Sequence, residues 1–211
     1  GAEVICGIPV EDLIMDGSRV LGVVAGEDEL TADVTILADG VNSLLTPKAV
    51  GAPTPKPSEM AVGVKELIEL PAEVIEDRLL CGPGEGAAWL FAGDSTKGHI
   101  GGGFMYTNKS SISLGLVATL SDLVTARTTI YQMMEDFKQH PEVAALIRGG
   151  KLVEYSGHMV SEGGYHMIPQ LVGDGCLVAG DAGMLCMNLG YCVRGMDFAV
   201  ASGQLAARAA S

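Results

Sequence analysis

The sequence predicts an α/β chain whose parallel layer is interrupted by an inserted, mainly antiparallel β-rich segment. Three observations carry that expectation. Short β-branched runs near the start close with a continuously apolar stretch, "VTILA". The proline-rich "GAPTPKPSEM" then marks a change of pattern, after which four strand-like regions follow. Near the end, "CLVAG" and an Ala-rich stretch return to the first style, as a chain does when it leaves one layer and comes back to it. The expected division is residues 1–58 and 161–211 for the interrupted layer and 59–160 for the insert.

In "EVICGIPVEDLIMDGSRVLGVVAGEDELTADVTILADG", Asp16-Gly17 and Gly26-Glu27-Asp28 separate β-branched runs, the pattern of strands joined by tight turns. Val34 to Ala38 is apolar throughout and suits a strand buried on both faces. Asn42 and Ser43 are candidate caps for a short helix that Pro47 and Gly51 would limit. Beyond the prolines, "AVGVKELIEL", "GAAWLFAGD", "HIGGGFMYTNKSSISLGLVATL" and "KLVEYSGHMV" read as strands, the third folding as a hairpin around Thr107-Asn108-Lys109-Ser110. Ile130, Met133, Met134 and Phe137 recur at helical spacing, and Pro141 ends that helix or starts the next. Cys176 to Ala179 predicts a second short buried strand and Met196 to Ala209 a helix, with the two ends of the chain sharing one sheet.

Hydrophobic residues make up 48% of the 211, enough for a real core, and 13 basic against 26 acidic side chains leave a formal charge of -13. Such a balance disfavours attraction to phosphate backbones, so nucleic acid is not an expected partner. Five cysteines without a C-x-x-C pair suit a reducing, cytoplasmic setting. No uncharged stretch reaches the roughly 18 apolar residues of a membrane span, so any membrane contact is expected to be peripheral. The opening "GAEVICGIPVEDL" has neither an initiator methionine nor a signal-peptide pattern and reads like the middle of a gene product.

Two stretches carry chemistry. "VTILADGVNS" ends a strand in Asp39-Gly40, where glycine permits a sharp turn and open amides can face a ligand. "CLVAGDAGMLCMNLGYCVRGMDF" delivers Gly180 and Asp181 to the carboxyl edge of a sheet, the usual ligand crevice of open α/β folds. A buried carboxylate at Asp181 needs a donor, either a ligand hydroxyl or a backbone amide at a helix start. Ala182, Gly183, Asn188, Gly190 and Gly195 are small or conformationally free residues that let backbone approach a flat ligand. A helix beginning near Gly195 would aim its positive end at developing negative charge. His99, His140, His158 and His166 are scattered without metal or triad spacing, and Cys186 and Cys192 read as inert thiols in apolar surroundings. Trp89, Phe91, Phe104 and Tyr106 are candidates for an apolar pocket or for ordinary core.

"ILADGVNS", followed about 140 residues later by "VAGDAGMLCMNLGYCVRGMDFAVASGQLAA", resembles the middle and late flavin motifs of the geranylgeranyl reductase and electron-transfer-flavoprotein:quinone oxidoreductase group. "AVGVKELIELPAEVIEDR", "GGGFMYTNKSSISLGLV" and "MMEDFKQHP" resemble its FixC-like subgroup. The resemblance implies a partial Rossmann-type FAD-binding domain with an inserted antiparallel β-sheet (α+β) domain. It implies FAD as cofactor, with Asp39, Gly40, Gly180, Asp181, Asn188, Arg194, Gly195 and Met196 as its contacts. Asp181 would hold the ribityl chain, and Arg194, Gly195 and Met196 would lie beside the flavin pyrimidine edge. No acid, base or nucleophile is implied. The implied activity passes electrons between an electron-transfer flavoprotein or ferredoxin-like protein and an acceptor such as quinone, in the cytoplasm or peripherally at the inner membrane. The alternatives are a flavin-dependent isoprenoid reductase or hydroxylase, and a catalytically silent fragment or binding module. Two departures stand out: no G-x-G-x-x-G segment occurs, and Met184 stands where the group's Gly-Asp-Ala-Ala-Gly has glycine.

Overall fold

The computed structural model describes residues 3–162, 164–189 and 193–211. The chain opens with β1 (Val10–Asp16), β2 (Arg19–Ala25) and β3 (Asp28–Thr31), an antiparallel meander turning at Gly17 and Gly26, as the turn residues predict. Next comes β4 (Thr35–Leu37), then α1 (Thr46–Val50). Ser43 Oγ accepts from Thr46 N at 2.9 Å and holds the start of α1; Pro47 lies inside its first turn instead of limiting it. The expectation of a strand buried on both faces fails at β4, where Leu37 is buried but Ile36 is 42% exposed. The Leu37 face meets the cluster of Leu13, Val20, Cys176 and Val178, whereas on the other face only Val34, partly buried, packs against Leu177, Ala179 and Ala206.

The insert contains β5 (Met60–Glu69), α2 (Ala72–Leu79), β6 (Ala88–Phe91), β7 (Gly101–Thr107), β8 (Ser111–Thr119), α3 (Leu120–Thr125), α4 (Ile130–Gln139), α5 (Pro141–Ile147) and β9 (Lys151–Ser161). Its five strands form one sheet in the order β6-β7-β8-β5-β9, antiparallel from β6 through β5. Alternation decides which side chains enter the core. Val64 and Ile68 of β5, Met105 of β7 and Ile112, Leu114 and Leu116 of β8 pack under Met133, Met134 and Phe137 of α4 and Val143 of α5. One charge goes with them: Glu66 is 2% exposed, and its Oε1 accepts from Lys138 Nζ of α4 at 2.8 Å. Arg78 of α2 donates to the carbonyls of Leu146 and Arg148 at 2.8 and 2.7 Å, tying α2 to the end of α5.

The chain returns with β10 (Val172–Gly173), β11 (Cys176–Val178), β12 (Met187–Asn188), β13 (Val193–Arg194) and α6 (Met196–Ala210). β11 is fully buried and pairs in parallel with β4, Cys176 opposite Thr35 and Val178 opposite Leu37, so the two ends of the chain do share a sheet. Two compact units result, residues 1–55 with 161–211 and residues 56–160. The chain passes from the first to the second within the proline-rich segment. No helix among the described residues is long and apolar enough to cross a membrane.

Candidate functional site

β4 and β11 run in the same direction, and Ala179 N donates to Leu37 O at 2.9 Å. Both strands therefore release the chain at one edge, Asp39-Gly40 from β4 and Gly180-Asp181 from β11. Gly40 turns the first exit, its carbonyl accepting from Ser43 N at 3.0 Å. At the second, Gly180 takes φ +63°, a left-handed conformation that glycine adopts without steric cost. Its N–H donates to Ser202 Oγ of α6 at 2.9 Å, and Ala199 lies 3.6 Å from where a Cβ would sit. The single 3-10 turn Gly180–Gly183 is thereby seated on the small-residue side of α6. Ser202 was not among the residues that the sequence singled out, although Ala199, Ser202 and Ala206 at helical spacing signal close packing.

Met184 ends this turn at φ +54°, and its N–H donates to Asp181 O at 3.0 Å. The methionine thus occupies the backbone conformation that a glycine would take most cheaply, and the turn closes despite it.

The Asp181 side chain corrects one expectation: it is exposed, not buried, because the turn carries it past the sheet edge. Among the described residues it accepts no hydrogen bond. Its Oδ1 lies 3.6 Å from the position a Cβ on Gly195 would take, and Cys186 Sγ lies 3.6 Å from that same position. Burial pushes the Cys186 thiol above its ordinary value, and the Asp181 carboxylate pushes the same way. The result is a protonated, poorly nucleophilic thiol at neutral pH, in line with the inert reading. Cys192 and Gly190 lie outside the described residues.

Beyond Cys186, β12 and β13 pair as a short antiparallel ribbon with Asn188 opposite Val193 and Met187 opposite Arg194. Asn188 Nδ2 donates to Glu162 Oε1 at 3.0 Å. Arg194 pairs with Asp197 in the first turn of α6, and its guanidinium carbon stands 5.8 Å from the Phe198 ring centre. That pairing holds the Asp197 carboxyl below the usual carboxylate range. Gly195 caps α6 and Met196, its first residue, is 88% exposed. Turn, ribbon and helix start therefore gather Gly180, Asp181, Asn188, Arg194, Gly195 and Met196, while Asp39 and Gly40 share the strand edge with Gly180.

In the second unit the four candidate aromatics separate onto two faces. Phe91 meets Phe137 edge-on at 5.1 Å on the helix-covered face, with Trp89 beside it at 6.2 Å. Phe104 and Tyr106 stack at 5.2 Å with 23° between their planes. They alternate with the buried Gly103 and Met105 and so point to the opposite face. Among the described residues no cluster of histidine, cysteine and carboxylate side chains suits a metal ion.

Residues 60–160 match the family described as "ETF-QO, ubiquinone-binding". Protein FixC of Escherichia coli strain K12 is 56% identical over 208 residues, 99% of this chain and 49% of FixC. A probable electron transfer flavoprotein-quinone oxidoreductase, YdiS, of the same strain is also 56% identical, over 98% of this chain and 48% of its own. The chain thus spans about half the length of the curated relatives it matches. Its fold is that of a geranylgeranyl bacteriochlorophyll reductase-like protein from Thermoplasma acidophilum, with a TM-score of 0.73 at 16% identity over 96% of this chain and 48% of that one.

Proposed function

We propose that the chain is part of an FAD-dependent oxidoreductase that takes electrons from an electron-transfer flavoprotein, or a ferredoxin-like protein in its place, and delivers them to a quinone. The observation that supports this reading is the 56% identity to FixC over 99% of this chain, together with the ubiquinone-binding family match over residues 60–160.

The residues at the strand edge fit a flavin's ribityl chain and pyrimidine end. Asp181 offers an exposed carboxylate that no described residue engages, suited to accept from ribityl hydroxyls. Gly195 lies beside it without a side chain, and α6, which starts at Met196, brings N-terminal amides and a positive dipole end that favour negative charge. Arg194 pairs with Asp197 in the first turn of α6. The flavin supplies the redox chemistry when bound. The side chains orient it and stabilise charge, which is why no acid, base or nucleophile is assigned.

The test is Asp181→Ala in the full-length protein. Loss of a charge-assisted hydrogen bond worth about 1.5 to 3 kcal/mol predicts FAD retention weaker by roughly one to two orders of magnitude, with the protein still soluble. Retention equal to wild type makes Asp181 a mere turn residue and removes the site from the proposal. Anaerobic reduction by an electron-transfer flavoprotein and reoxidation by ubiquinone test the reaction. Consumption of NADPH with an isoprenoid alkene instead points to the reductase reading.

A further inference from the structure

The face of the five-stranded sheet opposite α4 and α5 carries a row of aligned side chains of its own. On β5, Val64, Glu66 and Ile68 enter the core, so Lys65 and Leu67 point to the other face. The register then aligns Lys65, Gly115, Phe104 and Leu90 in one row across four strands, with Leu67, Ser113, Tyr106 and Ala88 in the next. Gly115 is the empty place in the first row. A Cβ there would fall 2.3 Å from Phe104 Cζ and 2.4 Å from Val64 O. The Phe104 ring therefore lies down over β8 toward β5, with Tyr106 stacked beside it.

At the two ends of this plate the chemistry differs. On β6, Leu90 is 56% exposed and extends the plate as an apolar rim. On β5, Lys65 holds its ammonium 3.5 Å from Glu154 Oε1 of β9, both heads partly exposed. The Lys65 and Phe104 backbones are two strands apart, about 10 Å. The Phe104 ring, folded over the intervening strand at Gly115, covers the part of that distance nearer β7. The face thus presents a flat aromatic surface with one cationic donor at its edge.

We propose that Phe104 and Lys65 form the ring-and-carbonyl subsite for the quinone, the ring lying on Phe104 and one carbonyl oxygen accepting a hydrogen bond from Lys65 Nζ. This rests on the quinone-reducing reading above. Reduction of a quinone to a quinol takes two electrons, supplied by the reduced flavin of the proposed enzyme, and two protons from water, turning both carbonyls into hydroxyls. Negative charge grows on those oxygens as electrons arrive, and a fixed ammonium strengthens its hydrogen bond at that moment. A neutral donor would hold the oxidised ring as well but would do less for the reduced one. Glu154 keeps the ammonium in place by pairing with it from the side away from Phe104.

Equilibrium dialysis with the oxidised, FAD-loaded full-length protein tests the assignment with two probes: a short-chain ubiquinone, and its aromatic counterpart lacking the two carbonyl oxygens. Lys65→Met keeps the stem and removes the charge. It is expected to weaken ubiquinone binding about tenfold and to leave the carbonyl-free ring unchanged, with Lys65→Arg restoring binding. Phe104→Leu is expected to weaken both probes. Lys65→Met that weakens both equally, or neither, overturns the carbonyl assignment, and Phe104→Leu without effect overturns the ring assignment. Wild-type protein that reduces ubiquinone while both variants bind it normally places the subsite elsewhere. Wild-type protein that neither binds nor reduces ubiquinone defeats the functional reading itself.

Discussion

Replacing Lys138 with methionine keeps the length of the side chain but removes the ammonium 2.8 Å from a Glu66 carboxylate that is 2% exposed. The carboxylate left behind is buried without its partner, which costs about 3 to 5 kcal/mol, the usual penalty for breaking a buried pair from one side. The variant should be less stable than wild type by about that amount at pH 7. Adding Glu66→Leu should recover most of the deficit, because no charge is then left in the core. Urea unfolding followed by circular dichroism measures both quantities. A Lys138→Met deficit below about 1 kcal/mol, or one that Glu66→Leu does not reduce, refutes the reasoning.

Three further outcomes follow from local geometry. Burial pulls the Lys138 ammonium down, but hydrogen bonds to Glu135 and Glu66 outweigh it and hold the group above lysine's ordinary 10.5. Its contribution is complete below that value and lost as pH rises through the higher folded value, so the wild-type urea midpoint should fall above pH 10.5 by a step absent from Lys138→Met. Asp181→Asn removes a charge that raises the Cys186 thiol, and should speed alkylation of Cys186 at pH 8 about twofold or more while leaving the buried Cys176 slow, as read by mass spectrometry. Gly115→Ala forces a Cβ against Phe104 and the Val64 carbonyl, and should cost about 1 to 3 kcal/mol and alter the near-ultraviolet aromatic signal.

Much of the secondary structure was legible because it rests on local rules. The β1–β3 meander follows from Gly17 and Gly26, the β7–β8 hairpin from Asn108, whose N–H donates to Ser111 O at 2.8 Å, and α4 from its apolar spacing capped by Thr129. α2 was missed: it has eight residues, only Ile75 and Leu79 are buried, and "PAEVIEDR" offers too short a period to stand out from a loop. α3, with six residues and none buried, left even less signal.

The sequence by itself determined the order of the elements, the return of the chain to a parallel pair of strands, and the residue types at the strand edge, since period, turn chemistry and apolar runs are properties of neighbours along the chain. Tertiary structure alone decided how those residues face. It put Asp181 in the open beside Gly195 and Cys186, and it seated Gly180 on Ser202, 22 positions away. It also divided four aromatics between a helix-covered face and the opposite one, and set Lys65, Gly115 and Phe104 in one row. These are relations between residues distant in sequence, fixed by strand register and by which face finds a helix to pack against, and no local pattern encodes either.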